Sequence, residues 1–110
     1  MLLSTDLWVA ALIRRAELAG AFATVIRKGD ARAGTVLVKT VDRRAGAARL
    51  YAEAFGPSGD RMWMQPVSST EEVALDAYVE RAARVDPDLW LVEIDDREGR
   101  HFLTESVEPR

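Results

Sequence analysis

The sequence predicts an α+β domain: an antiparallel, meander-like sheet of about six strands with two helices packed on one face. Three observations carry this reading. Two segments repeat apolar residues with the 3.6-residue period of a helix, one near the start and one after residue 69. Short β-prone runs separated by Gly-, Pro- and Asp-containing turns occupy the stretch between them. Strands and helices are segregated along the chain in the order α-ββββ-α-ββ, with no repeat and no low-complexity tract.

The first helix starts at Ser4, Thr5 or Asp6, whose side chains can accept from free backbone N–H groups, and stops at Gly20. Trp8, Val9, Leu12, Ala16 and Ala19 share its apolar face, while Asp6, Ala10, Arg14 and Glu17 face solvent. A second apolar stripe, Leu7, Ala11 and Leu18, lies beyond Arg15. So wide an arc exceeds what one sheet face covers, which marks this stripe and Arg15 as a candidate contact surface.

Four strands follow: Phe22 to Lys28, Thr35 to Val41, Ala48 to Phe55 and Arg61 to Val67. The short turns between them suit antiparallel neighbours, because a parallel return needs a dozen residues or more. Ser69-Thr70-Glu71-Glu72 has capping-box spacing for a second helix from Thr70 to Val85, and Asp86-Pro87-Asp88 ends it. Ala74, Leu75, Tyr78, Ala82 and Val85 form its apolar face. Leu89 to Asp95 is the fifth strand, Asp96 to Gly99 a turn and Arg100 to Thr104 a return strand. Residues 105–110 are expected to fray.

Composition narrows the function classes. The 110 residues fit one domain, with a core large enough to need no staples. There is no cysteine, which excludes disulfides, thiolate metal sites and a Cys nucleophile. Lys and Arg number 15 against 18 Asp and Glu, a net charge of −3 with no basic stripe, which argues against a nucleic-acid partner. The apolar run Leu7 to Ile13 is far shorter than the roughly 20 residues of a membrane span. Asp6 precedes it and Arg14-Arg15 follow, the reverse of a signal peptide, so the chain reads as unprocessed and cytoplasmic.

Two segments carry a family resemblance. Arg27-Lys28-Gly29-Asp30-Ala31-Arg32-Ala33-Gly34 followed by Val36-Leu37-Val38 is one, and Asp86-Pro87-Asp88-Leu89-Trp90-Leu91-Val92-Glu93-Ile94 the other. With Trp8-Val9, Trp63 and the region of Arg14 and Gly20, they make the chain resemble the bacterial family called domain of unknown function 1491, from Leu7 to about Leu103. Neither segment is a catalytic signature. Some members carry a GTPase-like label, but the G-x-x-x-x-G-K-[ST] phosphate loop is absent from this sequence.

Candidate sites are few. Glu93 and Asp95 alternate on one strand face, and Asp30 or Asp60, each following a Gly, could join them around Mg²⁺ in a metal-dependent hydrolase or nuclease. Turn chemistry explains the loop carboxylates without a metal, and Glu93, inside an apolar strand, needs a charged partner if buried. Gly29-Asp30 and Ala33-Gly34 read as a strand connection in preference to an anion cradle. His101 is the only histidine and has no evident triad or metal partners. Trp63 alternates with Met62 and Met64, so one apolar set must be uncovered unless both sheet faces are buried. The preferred reading is therefore a non-enzymatic protein-interaction domain, needing no cofactor. It uses Trp63, Met62 and Met64 or Leu7, Leu18 and Arg15, and its expected partner is a second copy in a homodimer.

Overall fold

The computed structural model describes residues 3–109. Helix α1 (Thr5–Leu18) is followed by β1 (Phe22–Arg27), β2 (Val36–Asp42), β3 (Ala47–Phe55) and β4 (Arg61–Met64). Then come α2 (Glu72–Val85), β5 (Trp90–Asp95) and the two-residue β6 (Ser106–Val107). The strands form one sheet in the order β1-β5-β2-β3-β4-β6.

The meander holds only from β2 to β4, whose two successive pairs are antiparallel. Between β1 and β2 the chain inserts β5, antiparallel to β1 and parallel to β2, and β6 pairs parallel to β4. The sheet is mixed, not antiparallel throughout. The cause lies in β5 itself: Trp90, Leu91, Val92 and Ile94 are all buried, a pattern that suits an inner strand covered on both faces. The connection from β2 to β5 contains α2 and is long enough for the parallel return.

The helices lie on opposite faces of the sheet, which corrects the one-face expectation. Trp8, Val9, Leu12 and Ala16 of α1 pack with Val36, Val38, Tyr51, Trp63, Trp90, Val92 and Ile94. Leu75 and Val79 of α2 pack with Leu37, Val41, Leu50 and Leu91. Successive residues of β2 point into alternate cores, so a strand apolar at nearly every position requires a layer on each side.

Local details differ from the expected boundaries for tertiary reasons. The α1 N-terminus has no side-chain cap; instead Thr5 and Asp6 donate backbone N–H groups to the carbonyls of Arg32 and Ala31 in the β1–β2 loop. Helix α2 begins at Glu72, and Ser69 accepts from Glu71 N–H in a local turn, while the Glu72 carboxylate turns to Lys39. Arg100 to Thr104 forms no strand, because β1 and β2 already occupy both edges of β5. Phe102 takes φ 60 there, and Arg15 donates through Nε and Nη2 to its carbonyl at 3.1 and 3.0 Å. This is what places an arginine inside the apolar arc of α1. The tail from Glu105 does not simply fray; it adds β6 to the sheet.

Candidate functional site

The two family-marking segments lie against each other. Asp30 donates its backbone N–H to the Asp88 carbonyl at 3.0 Å, and Trp90 Nε1 donates to the Asp30 carbonyl at 2.7 Å. A Cβ on Gly29 or Gly34 would collide with the Asp88 carbonyl and the Trp90 ring. Asp30 Oδ2 accepts the N–H groups of Arg32 and Ala33, closing the loop on itself. These residues form a lock between the β1–β2 loop and the start of β5, with the glycines needed for close approach. Asp60, in the β3–β4 turn, accepts from Ser58 Oγ at 2.9 Å.

Glu93 and Asp95 belong to a different assembly at the other end of β5. Lys39, in the middle of β2, points toward α2 and is buried, with Nζ 3.0 Å from Glu93, 3.1 Å from Glu72 and 3.0 Å from Asp76. Arg43 reaches Asp95 at 3.1 Å and Glu72 at 3.2 Å. Burial works against the charge on Lys39, but the hydrogen bonds to Asp76, Glu93 and Glu72 outweigh it and hold its pKa above that of an ordinary lysine. It stays an ammonium, which removes it as a nucleophile or base. The partner Glu93 was expected to need is therefore Lys39, and the cluster binds the first turns of α2 to the sheet. The fold brings Glu93 and Asp95 together but leaves Asp30 and Asp60 in loops elsewhere. Among the described residues no group of three or more His, Asp or Glu is arranged to hold a metal ion.

Trp63 is fully buried, so it offers a partner no surface. Its ring stacks on Trp8 with centroids 5.3 Å apart, and Arg61 lies 5.2 Å over the Trp8 ring. Glu105 accepts from both indoles, Trp63 Nε1 at 3.0 Å and Trp8 Nε1 at 3.2 Å. Burial opposes the charge on Glu105, yet the two donors prevail and lower its pKa. Of the flanking methionines, Met62 is half-buried and Met64 exposed. His101 is half-buried, its Nδ1 accepts the Leu103 N–H at 2.9 Å, and burial lowers its pKa.

Exposed apolar side chains concentrate along β1, with others at separate positions such as Phe55, Val73 and Val85. Phe22 is 77 % exposed and Ile26 54 %, and Val25 is also open, while Leu18 at the end of α1 is 75 % exposed. Leu7, three turns back on α1, is exposed as well. Register explains the pattern. Phe22 and Thr24 pair with Asp95 and Glu93 and so point to the α2 side of the sheet, beyond the reach of α2, which packs on β3. Val25 pairs with Val92 and points to the α1 side. A register irregularity between Val25 and Arg27 falls at Ile26. Sequence reasoning flagged Leu7 and Leu18 but not Phe22, Val25 and Ile26, because their exposure follows from β1 being an edge strand.

A family model described as protein of unknown function, DUF1491, matches residues 3–104. Two solved structures of a DUF1491 family protein from Caulobacter crescentus CB15 are similar. The crystal structure is 76 % identical, with TM-score 0.95 over 97 % of this chain and 100 % of that one; the NMR structure is 75 % identical, with TM-score 0.92 over 99 % of each. The solution structure of protein Atu0922 from A. tumefaciens is 34 % identical, with TM-score 0.83 over 100 % of this chain and 99 % of that one. No curated protein matches the chain.

Proposed function

This chain belongs to the DUF1491 family of proteins of unknown function, and from that premise we propose that it is a non-enzymatic protein-interaction domain that assembles as a homodimer. One observation carries the reading: core-type side chains, Leu18, Phe22, Val25 and Ile26, are gathered at one edge of the molecule and left open. Apolar side chains left open on both faces of one strand are costly in water and mark a contact edge. The same edge supports a second copy of the chain as partner, since twofold dimers are the commonest small assemblies. The carboxylates that a metal-dependent hydrolase or nuclease would use argue for the binding role, since Glu93 and Asp95 are engaged with Lys39 and Arg43. We assign the chain to the cytoplasm on its lack of cysteine, and among the described residues no helix is long and apolar enough to cross a membrane.

Sedimentation equilibrium over a concentration series tests the assignment. The mass is expected to rise from monomer to dimer, and Leu18→Glu is expected to weaken association by about tenfold or more, the cost of placing a charge in an apolar contact. A mass that stays monomeric at every concentration overturns the homodimer.

A further inference from the structure

We propose that the second copy docks by strand addition: β1 of one chain pairs antiparallel with β1 of another about a twofold axis near Val25, joining two six-stranded sheets into one. The inference rests on the homodimer reading and deepens it by naming the joining element and its geometry.

The backbone of β1 carries the argument. Only β5 pairs with it, and among the described residues no other backbone or side-chain group hydrogen-bonds the peptide groups of Phe22 to Arg27. Alternate N–H and C=O groups of β1 therefore point outward along an open edge. Sheets ordinarily protect such an edge with very short strands, Pro, inward charges or a covering element. The opposite edge follows that rule: β6 is two residues long and is followed by Glu108 and Pro109. By contrast β1 is six residues long, has no Pro and carries apolar side chains on both sides of the edge. An added strand would satisfy the free peptide groups and cover Phe22 on one face and Val25 on the other.

Charge selects a second copy in antiparallel orientation. The only charged residues at this edge, Arg27 and Lys28, lie together at its C-terminal end. Parallel self-pairing would stack four cations. An antiparallel twofold near Val25 separates them, placing the cations of each strand at the Phe22 end of the other. That end of the partner carries the exposed Glu98, in the turn after Asp95, whose own carboxylate is already held by Arg43. One chain thus carries both halves of a complementary contact, the cations at one end of β1 and Glu98 beyond the other.

The absence of cysteine makes a covalent test clean. Residues facing each other across such an axis have Cα atoms about 4.5–5.5 Å apart, within disulfide range. Val25→Cys under mild oxidation is expected to give a disulfide-linked dimer, whereas Val73→Cys, more exposed than Val25 but on α2, is expected to stay monomeric in a denaturing gel. Hydrogen exchange of the unmodified protein is expected to show outward amides of β1 becoming protected as concentration rises, and Ile26→Lys to remove that protection. Circular dichroism of each variant confirms that it folds. A dimeric mass with no Val25→Cys cross-link and no response to Ile26→Lys overturns strand addition while leaving the homodimer standing. Protection of β1 that appears only with an unrelated peptide overturns the second copy as occupant. A monomer at every concentration overturns both readings.

Discussion

Helix α1 and helix α2 each rest on a face of the same sheet, but the two layers are closed by different chemistry. On the α1 side Trp8, Val9, Leu12 and Ala16 are all buried, three tryptophans share the core, and the peripheral groups are held by the Glu105 carboxylate and the Gly29–Gly34 loop. On the α2 side only Leu75 and Val79 of the helix are buried, and Lys39, Arg43 and four carboxylates hold its first two turns. The far end of α2 is less closely held: Val85 is exposed, and a groove of about 480 Å³ lined by Leu37, Tyr78, Ala82 and Leu89 runs beneath it. Packing by shape tolerates no added atom, whereas closure by charge depends on pH and on every partner staying in place. The thin, charged layer also stops short of β1, which is why that edge is open.

Substitutions can separate the two modes. The largest effect is expected on the shape-packed side: Gly34→Val forces a side chain onto the Asp88 carbonyl and the Trp90 indole, both fixed by hydrogen bonds. Overpacking of this kind costs about 3 kcal/mol, read as a lowered urea midpoint with an unchanged slope. An undiminished midpoint would show that the loop yields and that the lock is no lock.

On the charged side, Lys39→Met takes the nearer cation from the half-buried Glu93 and leaves it only Arg43 at 3.8 Å. The expected cost is about 2 kcal/mol, below the 3–5 kcal/mol of a fully buried pair because Glu72 and Asp76 reach solvent. Adding Glu93→Leu to that variant is expected to restore part of the loss, since removing both charges removes the stranded one. If the double variant is as unstable as the sum of the two singles, the cluster is not acting through charge.

The smallest effect belongs to the seam between the layers, at the turn after β5. Asp96 is buried, donates its backbone N–H to the Val41 carbonyl and holds Arg100 at 2.9 Å, and Arg100 reaches Ala19 at the end of α1. The hydrogen bond from Arg100 outweighs burial and lowers the Asp96 pKa to about 2. A carboxylate whose folded pKa is depressed stabilises the fold above its unfolded value and loses that contribution as pH falls through the folded one. Wild type is therefore expected to be more stable than Arg100→Ala at pH 6, by a small margin because solvent screens the half-exposed arginine. The difference should shrink between pH 4 and about 2. A difference that stays constant across that window would mean Arg100 acts by packing alone.

Much of the fold was legible because local patterns are strong where a segment has one environment. The apolar period of α1 named Trp8, Val9, Leu12 and Ala16 as buried, though Ala19 on the same face is exposed, and the turns after β2, β3 and β5 each contain a glycine at positive φ, Gly46, Gly59 and Gly99. Glu93, inside an apolar strand, was legible as a carboxylate that needs a cation if buried, but Lys39 lies 54 positions away on another strand, and no local spacing links the two. Arg15 was similarly visible as an anomaly whose partner, the Phe102 carbonyl, exists only because the segment after β5 turns away.

The sequence by itself determined which residues make helices and which make the first five strands, and which mechanisms need a cysteine or a phosphate loop this chain lacks. Tertiary structure alone decided that β5 enters between β1 and β2, that the helices take opposite faces, and that β1 is left as an open edge. Alternation along a strand says which side chains share a face, a property of neighbours in the chain. Which strand lies alongside, and what layer covers each face, is settled by burying the most apolar strand deepest, a property of the whole molecule. Phe22, Val25 and Ile26 are candidate contact residues for that reason, and no shorter stretch of chain could have marked them.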